Sequence, residues 1–352
     1  MPLPEYDYRK YFEHGMSPTE YETTYRDVLN GRLPSDIVDC HVHAAEAQDF
    51  DVGKMSDFAW HHMVSTYPET TLEQSEAINQ LVLPDRSIKK LRFAHAFAGI
   101  NHKRVNDYLI SESPSKDRVA LFGLSDSEED IEYTVEELRT GNYTGLKMYY
   151  MSSPEPKFNL YDYFPKTVLA EAEAQGVPII LHFPRTLSRS IGELEDLVAN
   201  FPKLQVMLAH VGVTWFVHDG IDKMLEKVSD HKNVFVDTSG VTEKDVVLKA
   251  LQHLGPNRVL YGSDEPYNIL REFSYENPDL GPRILCDHPY HWVDLKEFAE
   301  YGHLAPPDMT YSQLQQVDAL VTAIGEVANT PSQEDEIIQL IFHDNAQEKF
   351  GF

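Results

Sequence analysis

The sequence predicts a parallel α/β fold, most simply a (β/α)8 TIM barrel. Three observations lead there. Short apolar runs recur eight times along the chain, and helical patterns with recognisable ends separate most of them. No Gly-rich G-x-G-x-x-G turn supports the alternative, a doubly wound open sheet. At 352 residues and 42% hydrophobic, the chain can bury one sizeable core, as one large barrel or as two smaller domains.

The apolar runs that read as strands are 37–43 (IVDCHVH), 92–97 (RFAHAF), 119–124 (VALFGL), 144–149 (TGLKMY), 178–183 (PIILHF), 204–210 (LQVMLAH), 233–238 (NVFVDT) and 258–263 (RVLYGS). Ser190 and Glu193 make a capping box ahead of LEDLVANF. Thr242 is placed to cap EKDVVLKALQHL, which Gly255-Pro256 stops, and Gly176 ends AEAEAQ. The acidic run SEEDIEYTVEEL reads as a solvated helix face. Three regions stand outside the repeat of one barrel spanning 1–352: an extension at 1–35 and long connections at 44–90 and 265–330. WHH at 60–62 and HPYHW at 288–292 lie in those connections, as lid or pocket-wall segments or as loop packing.

The charge balance narrows the partners. Thirty Lys plus Arg face 57 Asp plus Glu, a formal charge of -27, which argues against nucleic acid or an anionic membrane and leaves a small molecule. Two cysteines, Cys40 and Cys286, make no disulfide scaffold. The polar start MPLPEYDYRKYFEHG has no apolar h-region, and no apolar run reaches the length of a membrane span, so a soluble cytoplasmic protein is expected.

Side chains two apart on a strand share a face. His41 and His43 therefore point one way, with Ile37 and Asp39 behind them, while Val38, Cys40 and Val42 are expected to pack under helices. In a barrel the histidine face is the interior at the C-terminal mouth, where barrel enzymes build their sites. Other strands end alike: His182 on the fifth, His210 on the sixth, Asp264 after the eighth, with Lys147 on the fourth. One such histidine alone reads as a hydrogen-bonded structural residue. Four of them with an aspartate read as ligands for a divalent ion with an open position for water. His95 on the second strand reads as structural. Tyr149 shares the face of Lys147, and Arg185, after His182, is either a clamp for an anionic substrate or a surface arginine at a helix entrance.

The ordered set H-x-H, His, His, Asp resembles the amidohydrolase superfamily, and IFHDNAQEKFGF resembles the C-terminal end of its amidohydrolase-2 branch. The resemblance covers about residues 36–264 and 338–352. It implies a metal-dependent barrel enzyme, with His41, His43, His182 and Asp264 holding the metal, and His210 beside it as a further ligand or polariser. Zinc, or else manganese, and one ion rather than two are expected. Asp264 would take a proton from metal-activated water. Lys147 is either a carbamylated bridge between two metals, an inward lysine paired with an acid, or an anchor for a substrate carboxylate; the last is preferred. The branch contains both hydrolases, lactonases among them, and nonoxidative decarboxylases. The expected reaction is hydrolysis of an ester, lactone or amide bond in a carboxylated small molecule, with decarboxylation as the alternative. A silent metal-binding protein on the same fold would have no need of the intact set. The resemblance also implies a homo-oligomer.

Overall fold

The computed structural model describes residues 15–51, 54, 69–153, 155–287 and 295–352. Eight parallel strands follow one another in chain order: β1 (Asp36–Ala44), β2 (Ser87–Ala94), β3 (Arg118–Phe122), β4 (Gly145–Met148), β5 (Ile179–Leu181), β6 (Val206–Leu208), β7 (Val234–Asp237) and β8 (Val259–Leu260). The end of β8 returns to β1 and closes the barrel. The Cys40 amide donates to the Tyr261 carbonyl at 3.1 Å, the Asp264 amide to His41 at 3.0 Å, and the His43 amide to Glu265 at 2.9 Å. Each of the eight strands overlaps one of the eight apolar runs, as a (β/α)8 barrel requires.

β2 starts five residues before its apolar run. Its outward residues are charged but buried: Lys90 pairs with Glu265, and Arg92 with Asp117 at 2.7 Å. These ion pairs occupy positions where the other strands present apolar side chains to helices, and the one at Lys90 hid the first half of the strand. The predicted connection at 44–90 accordingly ends earlier and holds the helix Leu72–Val82, capped by Thr71 and Gln74.

Two apolar layers form the core. The outer one lies between strands and helices and includes Ile37, Leu146, Ile179, Val206 and Val236. The inner one fills the barrel with Val38, Cys40, Leu91, Phe93, Ala120, Ile180, Met207, Phe235 and Leu260. Ala346 and Phe350, on the C-terminal helix Asn345–Phe350, complete the inner layer. They sit at the strands' N-terminal end, where Arg118 Nε donates to the Gly351 carbonyl at 2.8 Å and Asn345 Nδ2 to Val259. The barrel floor is therefore sealed, and its opposite mouth is left for chemistry.

Some helix ends differ from expectation. Ser190 and Glu193 lie inside the helix Leu187–Asn200, not at its cap: the chain turns helical straight after Thr186, and both side chains instead bind Arg185. The helix Lys244–Leu254 starts after Glu243, with no side-chain cap from Thr242. Gly176 and Gly255 end their helices as expected. The run 128–139 is a helix capped by Ser127, with three acidic residues in its first turn, where the helix dipole favours them.

Beyond β8 the chain forms an antiparallel hairpin, β9 (Glu272–Asn277) and β10 (Gly281–Cys286), followed by the long helix Ser312–Val327. The N-terminal extension contributes the helix Glu20–Asn30, whose buried Glu22 pairs with Arg271 at the hairpin root at 2.6 Å. Among the described residues no helix is long and apolar enough to cross a membrane.

Candidate active site

The site begins with an irregularity in β1. Its pairing with β2 shifts register between Asp39 and Val42, so strict alternation fails there. Val38 and Cys40 lie in the inner layer, and so do His41 and His43, whose rings meet Phe93 at 5.1 and 4.8 Å. This corrects the expected facing of Ile37, which packs in the outer layer, of Val38, which packs inside, and of Cys40 and Asp39. Cys40 does not pack under helices; its thiol lies inside the barrel, 3.7 Å from Met207 Sδ. Asp39 does not stand behind the histidines; it is buried and accepts the amides of His41 and Ser263. Gly262 is what makes room, because a Cβ there would lie 2.7 Å from His41 Cβ.

Each of the four strand-end histidines uses Nδ1 on a partner in the wall. His41 Nδ1 is 3.0 Å from Asp237 Oδ2, and His43 Nδ1 is 3.2 Å from the Ala94 carbonyl. His182 Nδ1 is 2.8 Å from the Phe183 carbonyl, and His210 Nδ1 is 2.7 Å from that of Ser239. Acceptors at Nδ1 put the ring proton there, which leaves the Nε2 lone pair as each ring's free electron donor. His210 sits in a turn, 210–213, whose residues all have positive φ, between 49° and 70°. Two of these are β-branched valines, and such local strain is commonly stored at functional sites. The His210 amide is anchored on Asp237 Oδ1 at 3.0 Å.

Asp264 faces the β1 pair. Its Oδ1 lies 3.3 Å from His41 Nε2 and 3.4 Å from His43 Nε2. Ligand atoms of these three residues all fall within 4.8 Å of one another. A tetrahedral ion with bonds of about 2.0–2.1 Å separates its ligands by about 3.3 Å, so the donor types and spacing fit a divalent metal such as zinc. His182 is on the far wall and outside this group; its ring is 5.0 Å from those of His210 and Tyr149.

The electrostatics match these tautomers. Burial pushes His41 down to about 4, helped by Lys147 and opposed by Asp237. Burial works against ionisation of Asp237 and Asp264, but the surrounding histidines hold both well below the usual carboxylate range. Burial lowers Lys147 to about 8. Its side chain is 1% exposed, its ammonium lies 5.3 Å above the Phe93 ring, and no described residue makes an ion pair with it.

These groups line one cavity of about 490 Å³ with Tyr149, Trp215 and Tyr267. The set His41, His43, Lys147, Tyr149, His182, His210 and Asp264 is brought together at its wall. Arg185 is not: it lies outside the lining, half exposed, bound to Glu193 and Ser190. The helix that begins beside it supplies the acid that binds it. His95 is buried behind His43, stacked at 5.3 Å and bonded to Thr70. WHH and HPYHW fall outside the described residues.

Sequence reasoning missed Asp237, although VFVDTSG ends a strand in a carboxylate just as VLYGSD does. It also missed the hairpin, whose Glu272, Pro282, Arg283 and Ile284 wall the cavity. The alternating EFSYEN and GPRILC around Asn-Pro-Asp-Leu was the available signal.

The profile of the Amidohydrolase family (amidohydrolase-2) matches residues 38–352. The chain belongs to that family. Solved amidohydrolase-like structures align along nearly its whole length. One is described as a candidate 2-pyrone-4,6-dicarboxylic acid hydrolase from Pseudomonas putida, with 15% identity, TM-score 0.53, and 91% of this chain and 98% of that one covered. Another is 5-carboxyvanillate decarboxylase from Sphingomonas paucimobilis, with 15% identity, TM-score 0.54, and 91% and 100% covered. A third is a dihydroxybenzoic acid decarboxylase from Polaromonas with bound manganese, with 16% identity, TM-score 0.51, and 90% and 97% covered. At such identities the likeness is one of fold. No curated protein matches the chain significantly.

Proposed function

We propose that this amidohydrolase is a metal-dependent hydrolase that opens an ester, lactone or amide bond in a small carboxylated molecule. The observation that carries the reading is the approach of His41 and His43 Nε2 to one oxygen of Asp264, with the ammonium of Lys147 lining the same cavity. His41, His43 and Asp264 would hold one ion, zinc before manganese, with His182 across the cavity as the fourth ligand that the family resemblance implies. When bound, such an ion polarises a carbonyl and lowers the pKa of water toward neutrality.

The chain's own groups do the rest. Asp264, kept ionised, accepts a proton and returns it to the leaving group. His210, with its Nδ1 proton on Ser239, offers Nε2 as a second acceptor beside it. Lys147 binds the substrate carboxylate, and Tyr149 packs a ring against the substrate. Arg185 has no part in this scheme, since Glu193 already occupies it.

Nonoxidative decarboxylation is the second reading, favoured by the decarboxylases that share the scaffold. It makes the carboxylate the group that is lost. Lys147, which lines the same cavity as the His41–His43–Asp264 cluster and makes no ion pair with a described residue, suits a carboxylate that is kept as a handle, which favours hydrolysis. The test is to offer metal-replete protein a panel of carboxylated lactones, esters, amides and phenols, and to measure acid and carbon dioxide together. Acid release without carbon dioxide is expected, falling by about 10² or more in Asp264→Asn that keeps its metal. Carbon dioxide released in step with turnover would overturn the hydrolytic reading.

A further inference from the structure

One charged group of the cavity has no role in that chemistry. Glu272, the first residue of β9, lines the cavity and is 8% exposed. Its Oε1 accepts from Ser312 Oγ at 3.0 Å. That hydroxyl carries no charge. The other basic residue on this wall, Arg283, is taken by Glu297 through two bonds of 2.9 and 3.0 Å. Among the described residues no cation forms an ion pair with Glu272. A carboxylate sequestered from water without a counter-charge is costly, and a cationic ligand relieves that cost.

We propose that Glu272, held by Ser312, is a specificity residue that binds a cationic nitrogen of the substrate. The inference extends the hydrolase reading. With Lys147 holding a carboxylate, it names the substrate class as a small zwitterion, a carboxylate that also bears a free ammonium or similar group. The aromatic side chains Tyr149, Trp215 and Tyr267 line the same cavity and suit a planar or apolar body linking the two charged groups. Burial raises the Glu272 carboxyl to about 7, with the Asp264 charge adding to the effect. The group is therefore readily neutralised when the cavity is empty and gains most from a bound cation.

The test is isothermal titration calorimetry at fixed pH with three probes: 3-(aminomethyl)benzoate, 3-(hydroxymethyl)benzoate and 3-methylbenzoate. Each is titrated into the metal-replete wild type, Glu272→Gln and Lys147→Met. The ammonium probe is expected to bind the wild type about tenfold or more tighter than the hydroxyl probe, as a charge-assisted bond would give. Glu272→Gln should erase that preference while leaving 3-methylbenzoate unchanged. Equal affinity of the two probes for the wild type, or no measurable binding of the ammonium probe, overturns the proposal without reliance on any variant. Lys147→Met reports separately: if 3-methylbenzoate binds it as well as the wild type, the carboxylate handle fails while the Glu272 result stands.

Discussion

His41 Nδ1 and Asp237 Oδ2 stand 3.0 Å apart, and neither side chain is more than 1% exposed. The same carboxylate receives the amides of His210 and Ser239 on its other oxygen, both at 3.0 Å. One buried aspartate thus fixes the tautomer of one site histidine and the backbone of another, although it does not line the cavity itself.

Asp237→Asn should therefore weaken metal binding without removing a ligand. Partners of this kind typically account for about 10–100-fold in affinity. Competition against a chelator of known affinity measures the change. An unchanged metal affinity in a folded variant would show that His41 keeps its orientation unaided.

Gly262→Ala should displace the histidine next to it. The added methyl would meet His41 Cβ at 2.7 Å, with Cys40 Sγ at 3.4 Å, so either β1 or the end of β8 must shift. Overpacking of this sort costs about 1–3 kcal/mol. Thermal unfolding should show the loss, and metal affinity should fall with it. Wild-type values of both would contradict the crowding inferred at the β1 irregularity.

Protonation of His102 should destabilise the fold as pH falls below about 6.5. His102 is buried against Phe122 at 4.2 Å, its Nε2 is 3.0 Å from the His95 carbonyl, and burial lowers it from 6.5 to about 4. A histidine depressed in the fold binds its proton more readily when unfolded. Its contribution is intact above about 6.5 and is lost as pH falls toward 4, on the order of 3 kcal/mol for the full shift. Urea midpoints at pH 7, 6 and 5 should decline, and His102→Gln should flatten that decline. A midpoint independent of pH across this range would refute the assignment.

The barrel was legible because its signal is repetitive: eight apolar strands and glycine stops such as Gly176 are each written locally. The clustering of site residues was legible for the same reason, since His41, His182, His210 and Asp264 all mark strand ends. The facing of Asp39 and Cys40 was not, because one irregular residue between Asp39 and Val42 reverses the alternation and leaves no local trace. The first half of β2 was hidden by the charged Lys89 and Lys90, and the buried partner of Lys90, Glu265, is distant in sequence. Arg185 shows the converse: its position suggested either a substrate clamp or a surface arginine, and Glu193, eight residues onward in the next helix, binds it.

Metal stoichiometry tests the central claim most directly. Elemental analysis of wild type and of the double variant His41→Ala with His43→Ala, each reconstituted with zinc or manganese and freed of excess, counts the ion at the cluster. One ion per wild-type chain is expected, with essentially none in the folded double variant. Equal metal content in both proteins, or a wild-type chain that retains no divalent ion, would contradict the metal site on which the proposed chemistry rests.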